Sequence, residues 1–273
     1  MTDADEWKRW TDARTAAVST AHGVLALTAT HWLGPEPTEL PGLPGRWSGD
    51  AAGIRVTARA ADGLRPVGGN GAAAGGVVPA VEEPPIDGEL LLHPDTQPEA
   101  DRLRWRDLLL VPIEREGEPA LRVFDPAADR RTGFAGITVY PYAPEWSVPA
   151  VFTPFENGDR TVTVPSADGR DRGLAVTGQI AFRLAGEPHT LTVSRSGDQL
   201  TGVISDATSG TDTYRFRFIT LPAPDAEGRT VLDFNRAYLP PCAFSEHFIC
   251  PFPPPGNRLS IAVRAGEKAV LHR

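Results

Sequence analysis

Apolar and polar residues alternate through most of this chain, and a two-residue period predicts strands. One segment departs from it at the start. Trp7, Trp10, Ala13, Ala17 and Val18 recur at helical spacing, and Thr2 with Asp5 has the spacing of a capping box. Asp3, Asp5 and Glu6 suit the positive end of a helix dipole, so an amphipathic helix is expected over about 3–21, stopped by His22-Gly23. An apolar strand over 24–29 follows, then an alternating run from Ile54 that meets Asp62-Gly63, a hairpin signal. Segments 107–115 and 120–124 flank Gly117 as a second hairpin. Further runs near 148–153, 160–164, 174–184, 189–195, 200–205 and 213–221 are separated by Asn157-Gly158, Asp168-Gly169, Ala185-Gly186, Ser196-Gly197 and Ser209-Gly210. Tight turns cannot join parallel strands, so an antiparallel meander is expected, closed by 231–234 and 259–263.

The pattern therefore predicts a mainly β protein: a single antiparallel domain over 1–273, barrel or sandwich, with the helix packed across it. A flexible glycine-rich insertion is expected over about 66–88, and the part ahead of it reads as too thin for a core of its own. The insertion lacks the following helix and Lys-Ser/Thr of a phosphate loop.

Composition adds limits. The 273 residues are 41% hydrophobic and 23% charged, which fits a globular protein without a membrane span. The formal charge of -8 argues against nucleic acid as a partner. Arg236, Arg258, Arg264, Lys268 and Arg273 against Glu246 and Glu267 leave the carboxy-terminal segment at +3. An anionic small molecule would suit that segment, although surface charges usually serve no ligand. The acidic start, without an apolar stretch behind it, and only two cysteines place the protein in the cytoplasm as an expectation.

The richest segment is 236–258, a long loop with six prolines, both cysteines and five aromatic or histidine side chains. Proline at this density forbids continuous helix and interior strand, and long loops inside domains tend to bind something. Alternation places Asp233 and Asn235 on one strand face just before it, followed by Arg236.

These residues also carry a family resemblance. Leu232-Asp-Phe-Asn-Arg-Ala-Tyr238, Pro240-Pro-Cys-Ala-Phe244, Cys250-Pro, Pro253-Pro-Pro, Asn257-Arg-Leu259 and Ala265-Gly-Glu267 resemble the bacterial domain-of-unknown-function family number sixteen eighty-four. His22-Gly-Val-Leu-Ala-Leu-Thr28, His31-Trp-Leu33 and Pro41-Gly-Leu-Pro-Gly-Arg-Trp47 look like its amino-terminal signature, so the resemblance spans nearly the whole chain. Leu239 stands where much of the family has Asn, and His247 where it has Tyr. The resemblance implies no reaction.

Three chemistries compete for the loop. Cys242, His247 and Cys250, spaced C-x4-H-x2-C, offer three zinc ligands as a weaker alternative to no cofactor at all. Cys242 as a nucleophile needs a base such as His22, His31 or His247, oriented by Asp233 or Asn235. Buried thiols are more often inert, and a Cys242–Cys250 redox pair is a further option. Third, Asp233, Asn235, Arg236, Tyr238, Asn257 and Arg258 form a polar site or tie the loop to the sheet. The leading expectation is a small, anionic organic ligand held between sheet and loop by Arg236, Arg258, Asn257, His22 and His31. If it is turned over, Asp233, Asn235, Cys242 and Tyr238 are the catalytic candidates, for hydrolysis or acyl transfer. The alternative is a non-catalytic protein whose loop docks a protein partner through exposed Phe252 and Pro253–Pro255.

Overall fold

Glycines in the left-handed region, where a side chain is disfavoured, set the turns of this protein: φ is +77° at Gly158, +80° at Gly169 and +83° at Gly186. The computed structural model describes residues 2–67 and 83–273, so the centre of the glycine-rich insertion lies outside the described residues. The fold is mainly β, with several antiparallel sheets and one long helix, α1 (Asp3–Val18). α1 ends one turn earlier than expected. Its half-buried positions are Trp7, Trp10, Thr11, Arg14 and Thr15, whereas Ala13 and Ala17 are exposed, so an arginine occupies the stripe that the alanines were expected to fill.

The chain divides into two compact units, Ala16–Gly133 and Phe134–Arg273 with the residues up to Thr15. The first holds β1 (Leu27–Trp32), β2 (Arg46–Asp50), β3 (Gly53–Ala58), β4 (Arg65–Pro66), β5 (Gly88–Leu92), β6 (Leu103–Trp105), β7 (Leu108–Arg115) and β8 (Glu118–Phe124). Its sheets run β1-β8-β7-β6-β4 and β2-β3-β5. This unit buries Trp47, Ile54, Leu64, Leu92, Leu103, Leu110 and Leu121 together. The strands after the insertion supply half of that cluster. The hairpin expected at Asp62-Gly63 does not form, because residues 60–62 make a 3-10 turn and β3 pairs with β2 and β5 instead.

The second unit contains β9 (Phe134–Val139), β10 (Ser147–Pro154), β11 (Arg160–Pro165), β12 (Asp171–Val176), β13 (Gly178–Leu184), β14 (Glu187–Ser196), β15 (Gln199–Ile204), β16 (Arg217–Leu221), β17 (Arg229–Asp233) and β18 (Glu267–His272). Six of them form one sheet in the order β16-β15-β14-β13-β10-β17. The β11–β12 hairpin stands apart, and β18 pairs with β9. Inward side chains of the six-stranded sheet, among them Ile180, Phe182, Leu191, Leu200, Ile219 and Leu232, make the second core together with Phe234 from the turn after β17. Each such side chain contributes roughly 1.5–3 kcal/mol by leaving water.

The sheet curls until its two ends meet. Tyr238, just past β17, exchanges two backbone hydrogen bonds of 2.8 Å with Phe218 in β16. Above that bridge β16 and β17 remain separate, leaving an open seam. Residues 259–263, expected to be a closing strand, do not form one: Leu259 N–H goes to Ser205 O, and Val263 N–H to the Asp206 carboxylate.

Candidate functional site

The seam holds the candidate site. A cleft of ≈ 640 Å³ lies along it, lined by Trp10, Arg14, Ser147, Gln199, Thr220, Pro222, Val231, Asp233, Arg236 and Tyr238. Strand alternation explains the walls. Ser147 and Asp233 are register partners on β10 and β17, with Val231 two residues along on the same face. Thr220 comes from the opposite edge, on the solvent side of buried Ile219 and Leu221. Trp10 and Arg14, one turn apart on α1, supply the remaining side.

The polar groups at the closed end differ in how firmly they are held. Arg14 donates from Nε and Nη2 to the two carboxylate oxygens of Glu267 at 3.0 and 3.1 Å, and from Nη2 to Leu239 O at 3.3 Å. Its guanidinium also lies 4.9 Å from the centre of the Tyr238 ring. Arg236 has looser partners: Asp233 at 3.5 Å and Glu6 at 3.8 Å, both beyond hydrogen-bond length. Its side chain is 40% exposed. The Tyr238 hydroxyl is 3.3 Å from that of Thr220, and its ring meets Phe218 edge-on.

Of the sequence-derived candidates, Asp233, Arg236 and Tyr238 come together here; the others do not. Asn235 is fully buried, with its amide bonded to both backbone groups of Ala143 at 2.9 and 3.1 Å. The strand face expected to carry it ends at Asp233, whose carboxylate accepts the Asn235 N–H at 3.0 Å and starts a 3-10 turn. Asn257 is also fully buried and structural, bonding Thr192 N–H, Thr192 O and Val203 O at 2.7–2.9 Å. Arg258 is exposed and does not line the cleft. His22, which bonds Asp107 O at 2.9 Å, and His31 on β1 belong to the amino-terminal unit.

The long loop is structural for most of its length. Pro253 and Pro254 are buried, and Phe252 is half-buried with its ring centre 5.1 Å from that of Phe216. Of the residues on which a docking surface would depend, Pro255 alone is exposed, and Phe252 packs towards the sheet. Cys242 and Cys250 are buried free thiols. A hydrogen bond from the Cys250 thiol holds the Cys242 thiol below its ordinary pKa despite burial, helped by the Tyr214 hydroxyl and Arg215. Burial first, then Cys242, pushes Tyr214 up to about 12. Among the described residues no three His, Cys, Asp or Glu side chains gather as a metal site, so the C-x4-H-x2-C spacing does not close into a zinc ligand set. No helix among them is long and apolar enough to cross a membrane.

Sequence reasoning missed Trp10, Arg14, Ser147, Gln199 and Thr220 as lining residues. Arg14 had a signal, a charge on the apolar stripe of an amphipathic helix, and Trp10 lies on that same stripe, where a core role is the ordinary reading; the other three are ordinary polar strand positions.

A family model described as a protein of unknown function, DUF1684, matches residues 132–268. The motifs at His22–Thr28, His31–Leu33 and Pro41–Trp47 lie outside that match, so the resemblance is established for about half the chain rather than nearly all of it. No curated protein matches. A similar solved structure is the solution NMR structure of the uncharacterized protein from gene locus rrnAC0354 of Haloarcula marismortui, at 33% identity over 50% of this chain and 78% of that one, with a TM-score of 0.42.

Proposed function

The chain belongs to the DUF1684 family of proteins of unknown function, and from the seam cleft, most of whose lining falls in the matched region, we propose that it binds a small organic molecule bearing an anionic group. The observation that carries this reading is the contrast between the two cleft arginines. Arg14 is committed to Glu267, whereas Arg236 is exposed and paired only at 3.5 and 3.8 Å. A ligand carboxylate or phosphate can replace those partners with a bidentate pair. Trp10 and Tyr238 offer apolar surface to the rest of the molecule, and Ser147, Gln199 and Thr220 offer hydrogen bonds. The volume falls within the range of small-molecule sites, roughly 300–1,000 Å³.

Binding is favoured over turnover. Neither histidine nor cysteine lines the cleft, so the hydrolytic arrangement of Cys242 with a histidine base and Asn235 has no support there. The ligand lies against the helix and the seam in this reading, not under the body of the loop.

The test is a calorimetric screen of small carboxylates and phosphate monoesters against wild type and Arg236→Ala. Binding to wild type that weakens about tenfold in the variant, roughly 1.4 kcal/mol, is expected. The melting temperature should barely move. Equal binding by both proteins, or no binding across the screen, would overturn the reading.

A further inference from the structure

Cys242 and Cys250 are the nucleophilic groups that the cleft leaves unused, and they meet. The Cys242 N–H donates to Cys250 Sγ at 3.3 Å, and the two thiols are hydrogen-bonded to each other. Backbone contacts hold both ends of the intervening loop: Phe244 N–H bonds Pro241 O at 3.0 Å, and Ala167 N–H bonds Cys250 O at 2.9 Å. From the other side the Tyr214 hydroxyl bonds Cys242 O at 3.2 Å and lies 3.7 Å from Cys242 Sγ. Only 8% of Cys242 and 4% of Cys250 is exposed, which leaves room for a small diffusible reagent and not for a bulky one.

We propose that Cys242 and Cys250 are a redox pair that hydrogen peroxide converts to an intramolecular disulfide. The Cys242 thiolate attacks one peroxide oxygen, the O–O bond breaks, and hydroxide leaves with sulfenic acid formed on Cys242. The Cys250 sulfur then attacks that sulfur. The new S–S bond forms as the S–O bond breaks, and the hydroxyl leaves as water with the Cys250 proton. One peroxide is reduced to two waters, and two thiols are oxidised. The environment favours Cys242 as the attacking group, because thiolate character governs sulfur reactivity and its hydrogen-bond donors and Arg215 stabilise the anion. Cys250, already in contact, is the resolving thiol. This inference is independent of the ligand reading, since neither cysteine lines the cleft.

The experiment uses the full chain. Reduced protein is exposed to hydrogen peroxide, blocked with an alkylating reagent under denaturing conditions and weighed intact. Expected is a product two hydrogens lighter than the reduced protein, taking up no alkyl group, with residues 242 and 250 joined in the peptide map and reversal by dithiol. In Cys250→Ser the expected product is a sulfenic acid at position 242 that dimedone traps. Two alkylatable thiols after peroxide, disulfide-linked dimers, or oxygen addition without the cross-link would overturn the proposal. The wild-type result decides it even if the variant fails to fold.

Discussion

Glu267 is 1% exposed, and its carboxylate accepts from Arg14 at 3.0 and 3.1 Å and from Leu239 N–H at 2.7 Å. Removing the arginine leaves a buried charge with one neutral donor, which costs more than the pair contributes. Arg14→Ala should therefore destabilise the protein by about 2–3 kcal/mol. Arg236→Ala, whose ion pairs are long and exposed, should cost no more than about 1 kcal/mol. Urea denaturation of the two variants separates these outcomes, and equal losses would make the two arginines equivalent. Tyrosines give a second prediction at this scale. Tyr140 is pushed up to about 12 by burial and by its hydrogen bond to Asp212, and Tyr214 to about 12 by burial and Cys242. A raised folded-state value means that the folded chain holds the proton more tightly. The stabilisation is thus complete below the ordinary value of 10.0 and is lost as the pH rises towards about 12. Burial raises Tyr142 as well, so alkaline titration by phenolate absorbance should show Tyr140, Tyr142 and Tyr214 ionising above the ordinary tyrosine value, with the ionisation of Tyr140 and Tyr214 accompanied by unfolding. Normal titration of all three in folded protein would contradict these assignments.

The carboxamide of Asn257 works at the scale of the element. It takes the place of a strand partner for Thr192, accepting its N–H and donating to its C=O, and donates again to Val203 O. β14 is bonded to β15 only from Ser194 onward, so this side chain holds the two strands together where the ladder stops. Asn257→Ala leaves buried backbone groups unpaired and should cost about 2–4 kcal/mol. Hydrogen exchange would locate the loss at Thr192 and its neighbours; uniform protection would mean that the bonds are dispensable. Strands were legible where the signal was local. Alternation and a nearby glycine with positive φ mark β10, β11, β14 and β15 within a residue or two, whereas the single run expected over 174–184 is split between β12 and β13. Asn235 was misplaced because alternation was carried past Asp233, the last residue of β17. An Asp whose carboxylate captures the N–H two residues on stops a strand, and Asp-Phe-Asn carries that turn signal. β18 went unread because Glu267 begins it with a buried carboxylate, satisfied by Arg14 from a distant part of the chain. No local pattern announces such a pair. The same holds for the cleft: Asp233, Arg236 and Tyr238 are near in sequence, whereas Trp10 and Thr220 join them only through closure of the sheet.

At the scale of the whole molecule, two compact units with separate cores predict more than one unfolding step. Scanning calorimetry should give a calorimetric enthalpy larger than the van't Hoff value; equality would mean that the units melt as one. The seam has its own consequence. An unpaired strand edge is a template on which another chain can assemble, and natural sheets cover or blunt such edges. Here β16 and β17 are two such edges facing each other, tied at one end by the Phe218–Tyr238 bridge, with Trp10 and Arg14 of α1 lining the gap between them. The amino-terminal helix is thereby a guard against self-association as well as a wall of the cleft. Whatever loosens it, a substitution at Arg14 or a proteolytic nick, opens both edges at once and turns a closed sheet into one that can recruit a neighbour's strand.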